Sequence, residues 1–103
     1  GVKVPPVAPE AEHVYHQYTI RISEDRDGFA AALKEEYQVG SGVYYPIPNH
    51  RLPSLAPYAK GLELPHTEKA AKECLSLPVH PSLSQDDLER IVEAVNKLAK
   101  AGA

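Results

Sequence analysis

The sequence predicts an α+β fold: a small, mostly antiparallel sheet with helices packed on one face. Three observations lead there. The chain has 103 residues, room for one domain and too few for two. Short stretches of period-two alternation take turns with stretches of helical period along the chain. The last of these, Leu88–Leu98, carries an uninterrupted apolar stripe that needs a flat surface to pack on.

Residues 1–12 (GVKVPPVAPEAE) are proline-rich and read as an extended lead-in, with 13–103 as the single domain. Gly1 in place of Met reads as a cut rather than a natural start. From Val14 the alternation begins: Val14, His16, Tyr18, Ile20 and Ile22 share one mainly apolar face, and Tyr15, Gln17, Thr19 and Arg21 the other. This predicts a strand over 14–22. Ser23, Glu24 and Asp25 then offer N-caps and first-turn acids. Phe29, Leu33 and Tyr37 follow at helical spacing, so a helix is expected over 25–37. After Gly40-Ser41-Gly42 a short strand, Val43–Tyr45, leads into Pro46.

Between Pro46 and His66 stand five prolines, Pro46, Pro48, Pro53, Pro57 and Pro65, and regular structure does not survive that density. A loop this long inside a compact domain is usually functional or disordered. Tyr44, Tyr45, His50, Arg51, Leu52, Leu55 and Tyr58 belong to an ordered, contact-making loop, since a flexible linker would be rich in Gly and Ser. Contacts to a ligand and packing against another domain both remain open for it. Thr67 is expected to cap a short helix through Cys74, and Leu75–Val79 to form a third strand that Pro78 pushes to a sheet edge. Ser84 and Asp87 resemble a capping box with Asp in the usual Glu position. Leu88, Ile91, Val92, Val95 and Leu98 form the stripe of the last helix, with Lys97 and Lys100 at its negative end before Gly102.

Composition narrows the function classes. A hydrophobic fraction of 43% and a charged fraction of 24% suit a folded soluble domain. A net charge of −3 without a clustered basic surface argues against nucleic acid. Nothing approaches the length of a membrane span. The single cysteine, Cys74, allows no internal disulfide and makes a cytoplasmic address the default. Cys74 falls on the inward side of its expected helix and reads as a small buried hydrophobe rather than a nucleophile. His13 and His16 lack the further ligands of a metal centre, and His16 on the apolar strand face reads as a core histidine. Glu35-Glu36 and Asp86-Asp87 are explained by solvation and the helix dipole. Gly40-Ser41-Gly42 lacks the later glycine and the following helix of a phosphate cradle. Chemistry alone therefore stops at an α+β domain with one functional-looking loop.

The order of segments carries more. VYHQYTIR over 14–21 with RDGFAAALK over 26–34 resembles the opening of the small domain in the DegT/DnrJ-type sugar aminotransferases. GSGVYYPIPNH over 40–50 resembles that family's next segment, a Gly-x-Gly turn, an aromatic or His pair, proline and a later histidine. LPHTEKAA over 64–71 and LSLPVHPSL over 75–83 are similar to its closing signature. The resemblance runs in register from Val14 to Val95. It implies the C-terminal small domain of a fold-type-I pyridoxal-phosphate enzyme that works as a homodimer. Such an enzyme moves an amino group, usually from glutamate, onto a keto group of a nucleotide-linked sugar. The lysine that binds the cofactor would lie in the large domain. Lys3, Lys34, Lys60, Lys69, Lys72, Lys97 and Lys100 all lie outside any such motif, so the chain by itself is expected to bind no cofactor and to be inactive.

The same resemblance gives Tyr44, Tyr45 and His50 a place beside the sugar-nucleotide site. The chain departs from the family pattern in three places: Tyr44 stands where His is common, Asn49 where an apolar residue is, and Tyr37-Gln38 where Gly often ends the helix. The competing reading is a non-enzymatic ligand-sensing or protein-interaction module of the same layout.

Overall fold

The computed structural model describes residues 1–101. In order it comprises strand β1 (Val2–Lys3), strand β2 (Tyr18–Ile22), helix α1 (Arg26–Tyr37), a long loop, helix α2 (Pro65–Glu73), strand β3 (Cys74–Leu77) and helix α3 (Gln85–Ala101). The strands form one antiparallel sheet in the order β1-β2-β3. Ile20 stands opposite Leu75 and Tyr18 opposite Leu77, so the period-two pattern of β2 puts its apolar side chains on one face. There Ile20, Ile22 and Leu75 are buried with Leu33 of α1 and Ala94 of α3. The other face is polar: the Thr19 and Ser76 hydroxyls are hydrogen-bonded at 2.8 Å, and Arg21 pairs with Glu73 at 2.8 Å.

The strand expected over 14–22 keeps only its second half. Val14 is 89% exposed, and His16 is exposed rather than a core histidine. One cause is visible. Tyr15 adopts a left-handed backbone (φ 48°), which breaks the extended run, and the ladder ends at the Tyr18–Leu77 pair. At the other end the sheet gains what the pattern does not show. Val2 and Lys3 of the lead-in pair with Ile22 and Arg21, Val2 packs on the core, and Ser23 N–H donates to Gly1 O at 3.1 Å.

Asp25 caps α1, its carboxylate accepting the Gly28 N–H at 3.1 Å. At the other end Gln38 takes the left-handed conformation (φ 55°) that Gly usually supplies. Gln38 N–H donates to Lys34 O and Val39 N–H to Leu33 O, which turns Val39 into the core. Arg26 is buried, and its Nη1 donates to Ala71 O at 2.7 Å and Cys74 O at 3.0 Å. It thereby satisfies carbonyls left open where α2 ends and β3 begins.

Three further expectations are corrected. Val43–Tyr45 is not a strand: Gly42 alone bridges the outer edge of β3, through paired hydrogen bonds with Ser76. Helix α2 starts at Pro65, which suits a first helical turn, and Thr67 does not cap it. Cys74 is therefore the first residue of β3, not the end of a helix, and it is half-buried. Helix α3 begins with the expected box, Ser84 N–H to Asp87 Oδ2 at 3.0 Å and Asp87 N–H to Ser84 Oγ at 3.1 Å. Its packed line runs through Ile91, Ala94, Val95 and Leu98, whereas Leu88 and Val92 of the predicted stripe are exposed. Gly102 lies outside the described residues. Among the described residues, no helix is long and apolar enough to cross a membrane.

Candidate functional site

The proline-rich loop is ordered by its own turns. Successive backbone bonds, from Arg51 N–H to Pro48 O through to Leu62 N–H to Ala59 O, wind it into two short 3-10 turns, Asn49–Arg51 and Ala56–Tyr58. Arg51 fastens the first turn to α2, donating from Nη2 at 2.7 Å and Nε at 3.1 Å to Glu68 Oε1. The Arg51 hydrogen bonds, against a smaller opposing effect of burial, hold the Glu68 carboxyl below its ordinary value.

Between this turn and α2 lies an open concavity of about 490 Å³. Tyr44, Tyr45, Ile47 and His50 line it from the loop, and Thr67 and Cys74 from the other side. The three residues singled out by sequence are thus brought together. Tyr44 and Tyr45 are 55% and 77% exposed, their rings edge to face with centroids 6.2 Å apart. Two large amphipathic rings left this open suit a surface that something else covers.

Tyr44 also borders a second, smaller concavity of about 340 Å³ with His16, Ser41, Gly42 and Val79. The Tyr44 ring lies directly on Gly42, where a Cβ would meet its hydroxyl and ring carbons. That is why Gly42 tolerates no side chain while the ring keeps this position.

His50 sits in the wall, 8% exposed, with neither ring nitrogen hydrogen-bonded. Its Nε2 stands 3.6 Å from Glu68 Oε1, slightly beyond hydrogen-bond length. A buried imidazole without partners is unusual, and such groups concentrate where a ligand or water completes the set.

Other candidates fall elsewhere. Tyr58 is exposed and Arg51 is turned to Glu68. His13 is occupied locally, accepting the Tyr15 N–H at 2.8 Å and stacking on its ring. Among the described residues no group of three or more His, Cys, Asp or Glu is placed to hold a metal. Sequence reasoning missed Glu68 and Cys74 as neighbours of the site. Glu68 reads as an ordinary first-turn acid, and Cys74 reaches the concavity only because α2 stops one residue before it. All seven lysines are exposed and none lines either concavity. Neither concavity therefore offers an amine to a carbonyl cofactor.

Comparison with known proteins places the chain. The family model for the DegT/DnrJ/EryC1/StrS aminotransferase family matches residues 1–96. The chain is 47% identical over 85 residues to the pleiotropic regulatory protein of Geobacillus stearothermophilus, covering 81% of this chain and 22% of that protein. It is 36% identical over 92 residues to the 3-oxo-glucose-6-phosphate:glutamate aminotransferase of Bacillus subtilis, covering 86% of this chain and 21% of the relative. Among solved structures, DesV of S. venezuelae in complex with a ketimine intermediate superposes with a TM-score of 0.87 at 33% identity. That match covers 96% of this chain and 26% of DesV. The chain therefore spans about a quarter or less of the length of these relatives. With fold, loop and sequence in agreement over nearly its whole length, the chain belongs to the DegT/DnrJ/EryC1/StrS aminotransferase family.

Proposed function

We propose that this chain is the C-terminal small domain of a pyridoxal-phosphate-dependent aminotransferase acting on a nucleotide-linked sugar, with Tyr44, Tyr45 and His50 as its contribution to the sugar-nucleotide site. The observation that carries the reading is the convergence of those three side chains on one open concavity. Relatives named as dTDP-sugar and UDP-sugar aminotransferases support the substrate class. The relative named as a glutamate aminotransferase supports glutamate as donor. A neighbour solved with bound cofactor PMP supports the cofactor.

The cofactor supplies the transfer of the amino group, from a large domain that carries its lysine. Residues 1–12 lead in from that domain, and the enzyme works as a cytoplasmic homodimer. This chain binds and orients. The tyrosine hydroxyls hydrogen-bond sugar hydroxyls or phosphate oxygens, and the rings exclude water from them. Separated from the large domain, the chain binds no cofactor and is inactive.

The test is steady-state kinetics of Tyr44→Phe and His50→Ala in the complete enzyme. A lost neutral hydrogen bond costs about 0.5–1.5 kcal/mol, so KM for the sugar rises several-fold to about tenfold while kcat stays nearly intact. Wild-type kinetics with only reduced thermal stability would mean that the loop packs between domains. The relative at 47% identity, named for regulation, favours a second reading, a ligand-sensing or interaction module. Transaminase activity of the complete protein decides against it.

A further inference from the structure

Among the described residues, His50 alone has buried side-chain nitrogens without a hydrogen-bond partner. A neutral imidazole has one N–H and one lone pair, and the surroundings of each nitrogen decide which holds the proton. Nε2 faces Glu68 Oε1 at 3.6 Å. That oxygen is anchored, because it also accepts from Arg51 at 2.7 Å. Arg51 further keeps the carboxylate ionised, holding its pKa below the ordinary value. A lone pair on Nε2 would confront this anion, whereas an N–H directs its positive end at it. Nδ1 is buried and no described residue hydrogen-bonds it, while His50 lines the concavity together with Tyr44, Tyr45, Thr67 and Cys74.

We infer that Glu68 is a positioning residue: it holds the ring proton of His50 on Nε2 and leaves Nδ1 as a hydrogen-bond acceptor for a hydroxyl of the ligand in the Tyr44–Tyr45 concavity. The identity of that hydroxyl as a sugar's rests on the function proposed above, and the tautomer does not. An acceptor at Nδ1 selects its partner. A hydroxyl satisfies it, while a keto or phosphate oxygen presents lone pair to lone pair. The sugar position beside His50 is then one that bears a hydroxyl, and the reacting keto carbon lies elsewhere on the ring. Nδ1 is itself buried, so the ligand hydroxyl reaches it only when a wall residue of the concavity moves, and Tyr44 and Tyr45, both more than half exposed, are the freest to do so.

Two measurements test this. Nitrogen–proton correlation spectra of the isotope-labelled chain at neutral pH report the tautomer of His50 directly. The wild type should show the Nε2–H form alone, and Glu68→Gln and Glu68→Ala should show a measurable Nδ1–H population, as a free imidazole does. A wild-type Nδ1–H form or imidazolium, or a Glu68→Ala spectrum like that of the wild type, overturns the role of Glu68 and leaves the sugar site untouched. In the complete enzyme, Glu68→Ala should raise the sugar KM several-fold, as His50→Ala does, and the double variant should add nothing. Additive losses overturn action through His50. An unchanged KM in His50→Ala overturns the ligand half of the inference together with the functional reading, whatever the tautomer.

Discussion

Replacing Gln38 by glycine should stabilise this chain. Gln38 holds φ 55° and ψ 36° at the end of α1, and its backbone N–H closes the helix onto Lys34 O. A side chain bearing a Cβ carries a penalty of about 1–2 kcal/mol in that conformation. Glycine avoids it, at an unfolded-state entropy cost of about 0.5–1 kcal/mol. The side chain itself offers little in return, since its one contact, Nε2 to Glu35 O, is 3.5 Å long and exposed. The net gain is about 0.5–1 kcal/mol, or about 2–8 °C in melting temperature for a domain of this size. Thermal unfolding followed by circular dichroism measures it. Two controls isolate the cause. Gln38→Ala removes the same contact but keeps the Cβ, and should not stabilise. Tyr37→Gly, one residue earlier and packed against the core, should destabilise by about 1 kcal/mol or more. A melting temperature unchanged or lowered in Gln38→Gly would refute the reasoning.

Three other outcomes follow from the packing and the caps. Ile91→Ala, on the packed line of α3, should cost about 2 kcal/mol, whereas Val92→Ala, at a residue 58% exposed, should stay within about 0.5 kcal/mol in the same denaturant titration. Ser84→Ala should remove about 1 kcal/mol by unmaking the reciprocal cap with Asp87, read as a lower melting temperature. Acid should weaken the fold, because Glu68, Asp87 and Glu93 are all held below their ordinary values of 4.5, 3.8 and 4.5, by Arg51, by the Ser84 N–H and by Lys97 in turn. Depressed carboxyl pKa values give stability that is fully present above the unfolded values and lost as pH falls through the folded ones. Melting temperatures should therefore drop between about pH 5 and about pH 2, and less steeply in Glu68→Gln.

What was legible in the sequence depended on how local its cause was. Helix α3 and its cap could be read because an apolar period and a Ser84–Asp87 pair sit within a few residues of each other. Which side of the helix packs could not. Ala94 is its most buried residue because close approach to α1 needs a small side chain, and hydrophobicity does not rank alanine first. The strand over 14–22 was half right: alternation in Val14–Gln17 is real, but the strand that would pair with it ends at Leu77, far along the chain. Strand β1 has two residues, too few for a period, and depends on Ile22 and Arg21 to exist. At the site, Tyr44, Tyr45 and His50 came from family resemblance and the proline pattern. Glu68 was invisible there, because only folding carries α2 up against Arg51.

The pairing of β2 with β3 also bears on how the chain is made. Thr19 and Ser76, partners across that ladder, are 57 positions apart. At about 5–20 residues per second, synthesis takes roughly three to eleven seconds to bring the second after the first. Through that interval the apolar side of β2, Ile20 and Ile22, lacks Leu75 and the whole of α3, and one hydrogen-bonding edge stays open. Any chaperone that acts on this polypeptide during translation would find its opportunity there, and the opportunity closes once Leu75 takes its place opposite Ile20.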